Sequence, residues 1–523
     1  MKTLESYVDG RWHEPTSDFV TLINPSTEEV LAQASSRGVD FGAVLQYAKR
    51  RGGPALRAMS LVERGAMLKS MSKVLREKRD ELLDLSRLNN GTTPSDGSFD
   101  IDGGGATLAY YASLARGFEG GALMTDGAAV PLSRSGEFGG RHIWVSRRGV
   151  AVHINAFNFP VWGFAEKAAA ALLAGMPVVT KPATSTALVA QRCVEIVLEA
   201  GVLPDGALQL ICGSTGDLLD RLGPQDVVAF TGSAATAARL RRGERLITAN
   251  SRFNVEADSL NAAVLAPYVK TGSPVFELFL DDVVREMTQK AGQKCTAVRR
   301  LLIPGSLLTD VRDALEGRLG SIVTGNPAEV AVDMGPLASS QQLEDAVAGI
   351  VELQQDARLI LGSGKRVDGV GSPAGKGFFL EPTLLEAPDS RGATAVHDRE
   401  VFGPVATLLP YDGAAAAAAD LMSMAGGTLV TSVYSDDEEW IGAFVECGAS
   451  DTGRIYIGSE ATIGEGLGSG AALPQSLHGG PGRAGGGEEL GGMVGVQLYM
   501  QRLAIQGGQG MLGRLTGESQ PAE

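Results

Sequence analysis

The sequence predicts an α/β protein with two doubly wound parallel-sheet domains. Three observations lead there. Between residues 150 and 255, short apolar segments of strand character alternate with segments of helical period. That alternation is the pattern of a parallel sheet covered by helices on both faces. A second α/β region follows, from about residue 257 to 470. Polar residues also fall just beyond the apolar strand segments, where ligands bind in such sheets.

Taken in order, the chain opens with turn-rich, strand-like sequence over 7–31. Residues 61–88 have helical period, with Glu63, Arg64, Lys69, Lys73 and Arg76 reading as a solvated face. The run Asp100-Ile101-Asp102-Gly103-Gly104-Gly105 is expected to break that helical region. Residues 150–154, 177–180, 208–212, 227–230 and 253–255 read as strands. Residues 162–173, 188–199, 218–222 and 234–241 read as helices. The alanine run within 413–420 favours another helix. Near the end, a Gly-rich segment over 479–487 precedes Glu488, Glu489 and a strand-like 494–499. No repeat occurs at solenoid or propeller periods.

The 523 residues allow two to four structural units at roughly 100–200 residues each. Hydrophobic residues at 44% and charged residues at 20% exclude wholesale disorder. The 69 glycines point to tight turns and close backbone approaches to a ligand. A net charge of −15 argues against nucleic acid or an anionic membrane as partner, since both need basic surface. The four cysteines (Cys193, Cys212, Cys295, Cys447) form no C-x-x-C pair, which argues against zinc ribbons and disulfide frameworks. The N-terminus lacks a signal-peptide core, and the longest apolar stretch, 168–180, is too short to span a membrane. A reducing cytoplasm is the expected compartment.

Four positions could carry chemistry. Cys295 follows a helical segment and has Lys290, Lys294, Arg299 and Arg300 near it in sequence. Positive charge favours a reactive thiolate. The competing reading is an inert, buried cysteine. Glu256 ends a strand and reads either as a general base or as a capping or salt-bridged carboxylate. Asn158 could donate to an oxyanion or merely form a turn before the next helix. Thr231-Gly232-Ser233 joins a strand to a helix and suits a phosphate, but no full G-x-G-x-x-G is present. The five histidines show no metal-ligand spacing, so no metal is assigned.

Together these segments resemble the aldehyde dehydrogenase superfamily over essentially the whole chain. The matching motifs are Phe157-Asn158-Phe159-Pro160, Lys181-Pro182-Ala183, Phe230-Thr231-Gly232-Ser233, Gly292-Gln293-Lys294-Cys295, Gly325-Asn326-Pro327 and Glu400-Val401-Phe402-Gly403-Pro404-Val405. The resemblance implies an aldehyde dehydrogenase-like fold with a β oligomerisation arm. It implies Cys295 as nucleophile, Asn158 as oxyanion donor, Glu256 as the base that activates water, and Lys167 as an electrostatic neighbour. Lys181 would bind the adenine-side ribose, Glu400 the nicotinamide ribose, Phe402 the nicotinamide, and Phe230, Thr231, Gly232 and Ser233 the pyrophosphate region. By the same resemblance, residues 1–125 and 150–255 form the dinucleotide-binding domain and 256–470 the catalytic domain. Residues 126–149 and 471–523 form the arm and a C-terminal substrate-mouth segment. A homodimer or dimer of dimers is implied.

Two departures from the family pattern matter. Glu256-Ala257-Asp258-Ser259-Leu260 replaces the usual Glu-Leu-Gly-Gly-Lys. Thr184 stands where NAD-preferring members often carry Glu, so NADP is the expected cofactor, with NAD weaker. The segments 256–261 and 477–490 resemble a branch that oxidises CoA-linked semialdehydes in aerobic phenylacetate or benzoate degradation. The substrates implied are 3-oxo-5,6-dehydrosuberyl-CoA semialdehyde or 3,4-dehydroadipyl-CoA semialdehyde. No hydratase domain follows Glu523, so ring opening is expected of another protein. Arg483 in the Gly-rich tail could face a CoA phosphate, or the tail could be a turn-rich crossing loop. Alternatives are a CoA-acylating enzyme, a cofactor-free cysteine acyl hydrolase and a catalytically silent binding protein.

Overall fold

The computed structural model describes residues 1–117 and 124–517. The stretches 118–123 and 518–523, which belong to the expected first segment and tail, lie outside the described residues. Two seven-stranded sheets organise the chain. In the first, Arg252–Glu256, Val227–Thr231, Ala151–Ile154, Val178–Lys181 and Leu208–Leu210 run parallel in that spatial order. An antiparallel hairpin of Ser6–Val8 and Arg11–His13 closes one edge. The chain steps outward from Ala151–Ile154 in one direction, then returns to build Val227–Thr231 and Arg252–Glu256 on its other side. The strand ends beyond that reversal form the crevice where doubly wound sheets bind ligands.

The second sheet is parallel apart from the edge strand Arg358–Leu361. Its strands Ala262–Leu265, Arg300–Pro304 and Val405–Tyr411 are buried throughout or nearly so. They lack period-2 alternation because helices cover both faces. Apart from these sheets, Met124–Pro131, Phe138–Ser146 and Met500–Gly508 form an antiparallel three-stranded arm, on which helix Gln509–Thr516 packs. No helix among the described residues is long and apolar enough to cross a membrane.

Two local expectations are corrected. Residues 100–105 do not end a helix; they lie inside the continuous helix Pro94–Ala115. The glycines serve packing: a Cβ on Gly103 would lie 2.3 Å from Trp162 Cε3, so its absence lets this helix approach Trp162–Leu173. Burial of that contact outweighs the roughly 1 kcal/mol helix penalty of a glycine. Residues 494–499 are not a strand. Met493–Gln497 is a short helix, and the strand begins at Met500, where pairing with Ser146 starts. The apolar run also splits between the two, with Val496 buried and Val494 exposed. Residues 61–88 resolve into two helices, Leu61–Glu77 and Arg79–Asn90.

Candidate active site

Two cavities meet at one point. A cleft of about 510 Å³ is lined by Lys181, Phe230, Thr231, Gly232, Ser233, Glu400 and Phe402. A narrow second cavity is lined by Phe99, Phe159, Trp162, Glu166, Lys167, Thr296 and His478. Asn155, Ala156, Asn158, Thr231, Glu256 and Cys295 line both. Of the four positions singled out for chemistry, Asn158, Glu256 and Cys295 sit at the junction, together with Thr231 of the fourth. Thr184 is not among the lining residues of either cavity. It opens the helical turn Thr184–Thr186, and its Oγ1 donates to the Gly213 carbonyl at 3.4 Å.

Each position follows from its element. Glu256 is the last residue of its strand, and Asn158 follows the end of Ala151–Ile154. Cys295 follows a tight turn in which Lys290, Ala291 and Gly292 all take left-handed backbone angles. A Cβ at Gly292 would fall 2.2 Å from the Gly403 carbonyl, so only glycine permits this approach to the Glu400-Phe402 segment. The Asn158 amide Nδ2 donates to the Gln293 carbonyl at 2.9 Å. An amide nitrogen carries two hydrogens, which leaves the other for a ligand.

The electrostatics differ from the sequence expectation. The basic neighbours of Cys295 do not ionise it. Lys294 pairs with Glu286 at 2.7 Å, and Lys290 lies over the Phe159 ring at 4.3 Å. Arg299 donates to Glu400 and to backbone carbonyls, and Arg300 to the Leu260, Leu421 and Met422 carbonyls. Burial pushes the Cys295 thiol well above its ordinary range, and the Glu256 charge adds to it.

What faces the sulfur is His478. Its Nε2 lies 3.8 Å from Cys295 Sγ and 3.0 Å from Glu256 Oε1. Thr231 Oγ1 donates to the other carboxylate oxygen at 3.2 Å. Burial would raise Glu256, but the charge and hydrogen bond of His478, helped by Lys167, outweigh it and hold the carboxylate below its usual range. Burial would lower His478, and Glu256 raises it instead.

Behind this group lies a second one. Lys167 Nζ is 2.8 Å from Glu166 and 3.0 Å from Glu489. Burial, opposed by Lys167 and reinforced by Glu489, raises Glu166 to about 7. Burial would lower Lys167, and its carboxylate neighbours hold it well above its ordinary value. Two donor sets, Glu256-Cys295-His478 and Glu166-Glu256-Glu489, each lie within 4.8 Å, a spacing that could hold a metal ion. In both a cation, His478 or Lys167, is already paired with the carboxylates.

Sequence reasoning missed His478, Glu166 and Glu489. The available signals were a charged pair in an otherwise apolar helix, 166–167, and a histidine and a glutamate flanking a glycine run. Leu477–Gly479 and Glu488–Leu490 form an antiparallel hairpin with His478 opposite Glu489. Gly487 N–H donates to the Val255 carbonyl at 3.1 Å, and Ala257 N–H to the Ala484 carbonyl at 2.9 Å. The tail thus clamps the strand that carries Glu256. Arg483 does not face either cavity; it donates to the His397 and Asp398 carbonyls.

The larger cleft suits a dinucleotide: a cation at Lys181, an aromatic face at Phe402 and an acceptor at Glu400. Phe157 meets Phe402 edge-to-face at 5.8 Å, and the Arg299 guanidinium lies over the Phe402 ring at 5.4 Å. Glu400 accepts from the Ser259 N–H at 3.1 Å; burial, opposed by Arg299, raises it to about 7. Asp258 Oδ1 accepts from Ala234 N–H at 2.8 Å, so the departure after Glu256 places a carboxylate on the first turn of helix Ala234–Arg241.

Residues 12–502 match the aldehyde dehydrogenase family. The chain is 43% identical over 478 residues to a 3,4-dehydroadipyl-CoA semialdehyde dehydrogenase from Aromatoleum evansii, covering 91% of this chain and 93% of that one. It is similar in structure to a betaine aldehyde dehydrogenase variant from Staphylococcus aureus solved with NAD+, at 24% identity and TM-score 0.84, covering 97% and 98% of the two chains. A putative aldehyde dehydrogenase from Burkholderia cenocepacia matches at 23% identity and TM-score 0.82, again over 97% and 98%. The chain belongs to the aldehyde dehydrogenase family and is an NAD(P)-dependent oxidoreductase of aldehydes.

Proposed function

We propose that this enzyme oxidises a CoA-linked semialdehyde to the carboxylic acid with NADP, in aerobic aromatic-CoA degradation. The observation that carries the reading is the meeting of two cavities at Cys295, Glu256 and Asn158. The similarity to a CoA-semialdehyde dehydrogenase supports the substrate class. Among the two substrates considered, it favours 3,4-dehydroadipyl-CoA semialdehyde.

Cys295 attacks the aldehyde carbon through its thiolate, forming a C–S bond. The Asn158 amide and the Cys295 backbone N–H stabilise the oxyanion. A nicotinamide dinucleotide bound in the larger cleft supplies the hydride acceptor. Lys181, Ser233, Glu400 and Phe402 would hold it, with Phe230, Thr231 and Gly232 shaping the floor. The acyl group then rests as a thioester on Cys295. Glu256, kept ionised by His478 and Lys167, takes a proton from water as its oxygen bonds to the thioester carbon; the C–S bond then breaks, releasing the acid and returning the Cys295 thiolate. Lys167 acts electrostatically, holding the surrounding carboxylates in charge balance.

Thr184 favours NADP because no carboxylate stands there to repel a 2′-phosphate. We further assign the arm, residues 126–149 with strand Met500–Gly508, to a homodimer contact, and the enzyme to the cytoplasm. The domain division at 125, 150, 256 and 470 is part of the same proposal.

The test compares initial rates on CoA-linked and free semialdehydes, with NADP and NAD, with and without free CoA. The hydrolytic reading expects acid formation that needs no free CoA and is fastest with the CoA-linked substrate and NADP. A strict requirement for free CoA would instead establish acyl transfer. Cys295→Ala should lower turnover at least about 10⁴-fold.

A further inference from the structure

We propose that His478 is a further catalytic residue: the cation that faces the Cys295 thiolate and passes its hydrogen bond between Glu256 and the sulfur. The inference rests on the reading of Cys295 as the nucleophile. Its ground is geometric. One ring nitrogen, Nε2, lies 3.0 Å from Glu256 Oε1 and 3.8 Å from Cys295 Sγ. Thr231 occupies the second oxygen of Glu256, so the carboxylate cannot turn away from the imidazole without losing that bond.

A thiolate in a buried site needs a positive partner. The four basic residues near Cys295 in sequence do not supply it, being committed to Glu286, Phe159, Glu400 and backbone carbonyls. Arg454, the next charge near the sulfur, donates to the Ala471 and Ser469 carbonyls. Lys167 is held by Glu166 and Glu489. Among the described residues, His478 is the one cationic side chain whose hydrogen bond reaches the sulfur. The groups facing it are Glu256 from the strand below, Glu166 from the helix 162–173, Glu489 opposite it in the hairpin, and Arg454.

In the resting site His478 is an imidazolium donating to ionised Glu256, and Cys295 is a thiol. On activation the S–H bond breaks and an O–H bond forms on Glu256. The now neutral carboxyl no longer holds the Nε2–H, which turns to the sulfur. Charge is conserved: imidazolium and carboxylate become imidazolium and thiolate. The proton on Glu256 leaves through the open cleft before Glu256 accepts one from water.

The experiment follows the rate of Cys295 alkylation by iodoacetamide against pH in the full chain, in wild type, His478→Gln and His478→Ala. Gln keeps a neutral donor but not the charge. The expected result is an upward shift of the inflection by about one pH unit or more in His478→Gln, with about 10-fold slower labelling at neutral pH. Added imidazole should restore labelling in His478→Ala, which a merely structural histidine would not allow. Superimposable wild-type and His478→Gln profiles would overturn the proposal. Cys295→Ala is the control for the reading beneath it. If that variant still reduces NADP, the nucleophile assignment falls; if it is dead while the profiles coincide, only the role of His478 falls.

Discussion

Lys167 Nζ and Glu489 Oε2 lie 3.0 Å apart with both side chains buried, joining helix Trp162–Leu173 to the hairpin of Leu477–Gly479 and Glu488–Leu490. Glu166 completes the group at 2.8 Å. Breaking a buried ion pair by removing one partner typically costs about 3–5 kcal/mol, because the other charge stays buried and unpaired. Lys167→Met leaves Glu166 and Glu489 without their cation, crowded within 4.8 Å of Glu256. The expected outcome is a lower denaturation midpoint, read by circular dichroism in urea. Adding Glu489→Gln to that variant should recover part of the loss.

Asn158 is expected to act on the rate more than on substrate binding. Its amide has one hydrogen on the Gln293 carbonyl and one available for an oxyanion. Removing a single oxyanion donor typically lowers kcat about 10²–10³-fold. Asn158→Ala should show that loss with little change in KM in steady-state kinetics. An equal loss in stability would mean instead that the Gln293 bond is its main contribution.

The glycines of the tail are expected to be intolerant of even a methyl group. A Cβ at Gly485 or Gly487 would lie 2.4 Å from the Val255 carbonyl, beside Glu256. Gly485 also has a φ of +108°, which L side chains rarely adopt. Gly487→Ala should push the hairpin off the strand, displacing His478 and Glu256 together. Overpacking of this kind costs about 1–3 kcal/mol. Activity should fall further than stability, since the displaced groups line the cavity at Cys295 and are those proposed to react; parallel assays of turnover and thermal unfolding read both.

Glu400, proposed to hold the nicotinamide ribose, is expected to give cofactor binding a pH dependence. Its raised value, about 7, means it is protonated below that pH and ionised above it. The ionised form is the better acceptor for ribose hydroxyls, and hydrogen bonds to charged groups are worth about 1.5–3 kcal/mol. Dinucleotide Kd, measured by fluorescence titration, should therefore tighten as pH rises through about 7. Glu400→Gln should bind more weakly and lose that pH dependence.

The repeating architecture was legible because strand and helix periods are local. Helices Trp162–Leu173 and Ala234–Arg241 fall where the apolar spacing puts them. Cys295, Glu256 and Asn158 were legible as residue types at strand ends and after a helix. Their surroundings were not. Gly103 reads as a helix breaker until Trp162 is seen against it, and the cations beside Cys295 in sequence face other partners in space. His478 lies 183 residues from Cys295 and 222 from Glu256, a distance along the chain at which no periodicity carries information.

Cofactor preference should turn on the position of Thr184. Its hydroxyl bonds the Gly213 carbonyl, and it follows the strand end that presents Lys181. With the adenine-side ribose at Lys181, as proposed, a glutamate there would bring a carboxylate towards it, accepting from a 2′-hydroxyl and repelling a 2′-phosphate. Two unit charges about 4 Å apart interact by about 4 kcal/mol at the effective dielectric of a protein surface, and a phosphate carries more than one. Even half of that, after screening, exceeds one power of ten in affinity. Thr184→Glu should therefore raise the KM for NADP at least about 10-fold while leaving or lowering that for NAD. Lys181→Ala should act in the same sense, weakening NADP more than NAD through lost attraction. Should both nucleotides respond equally to Thr184→Glu, the preference resides elsewhere in the cleft.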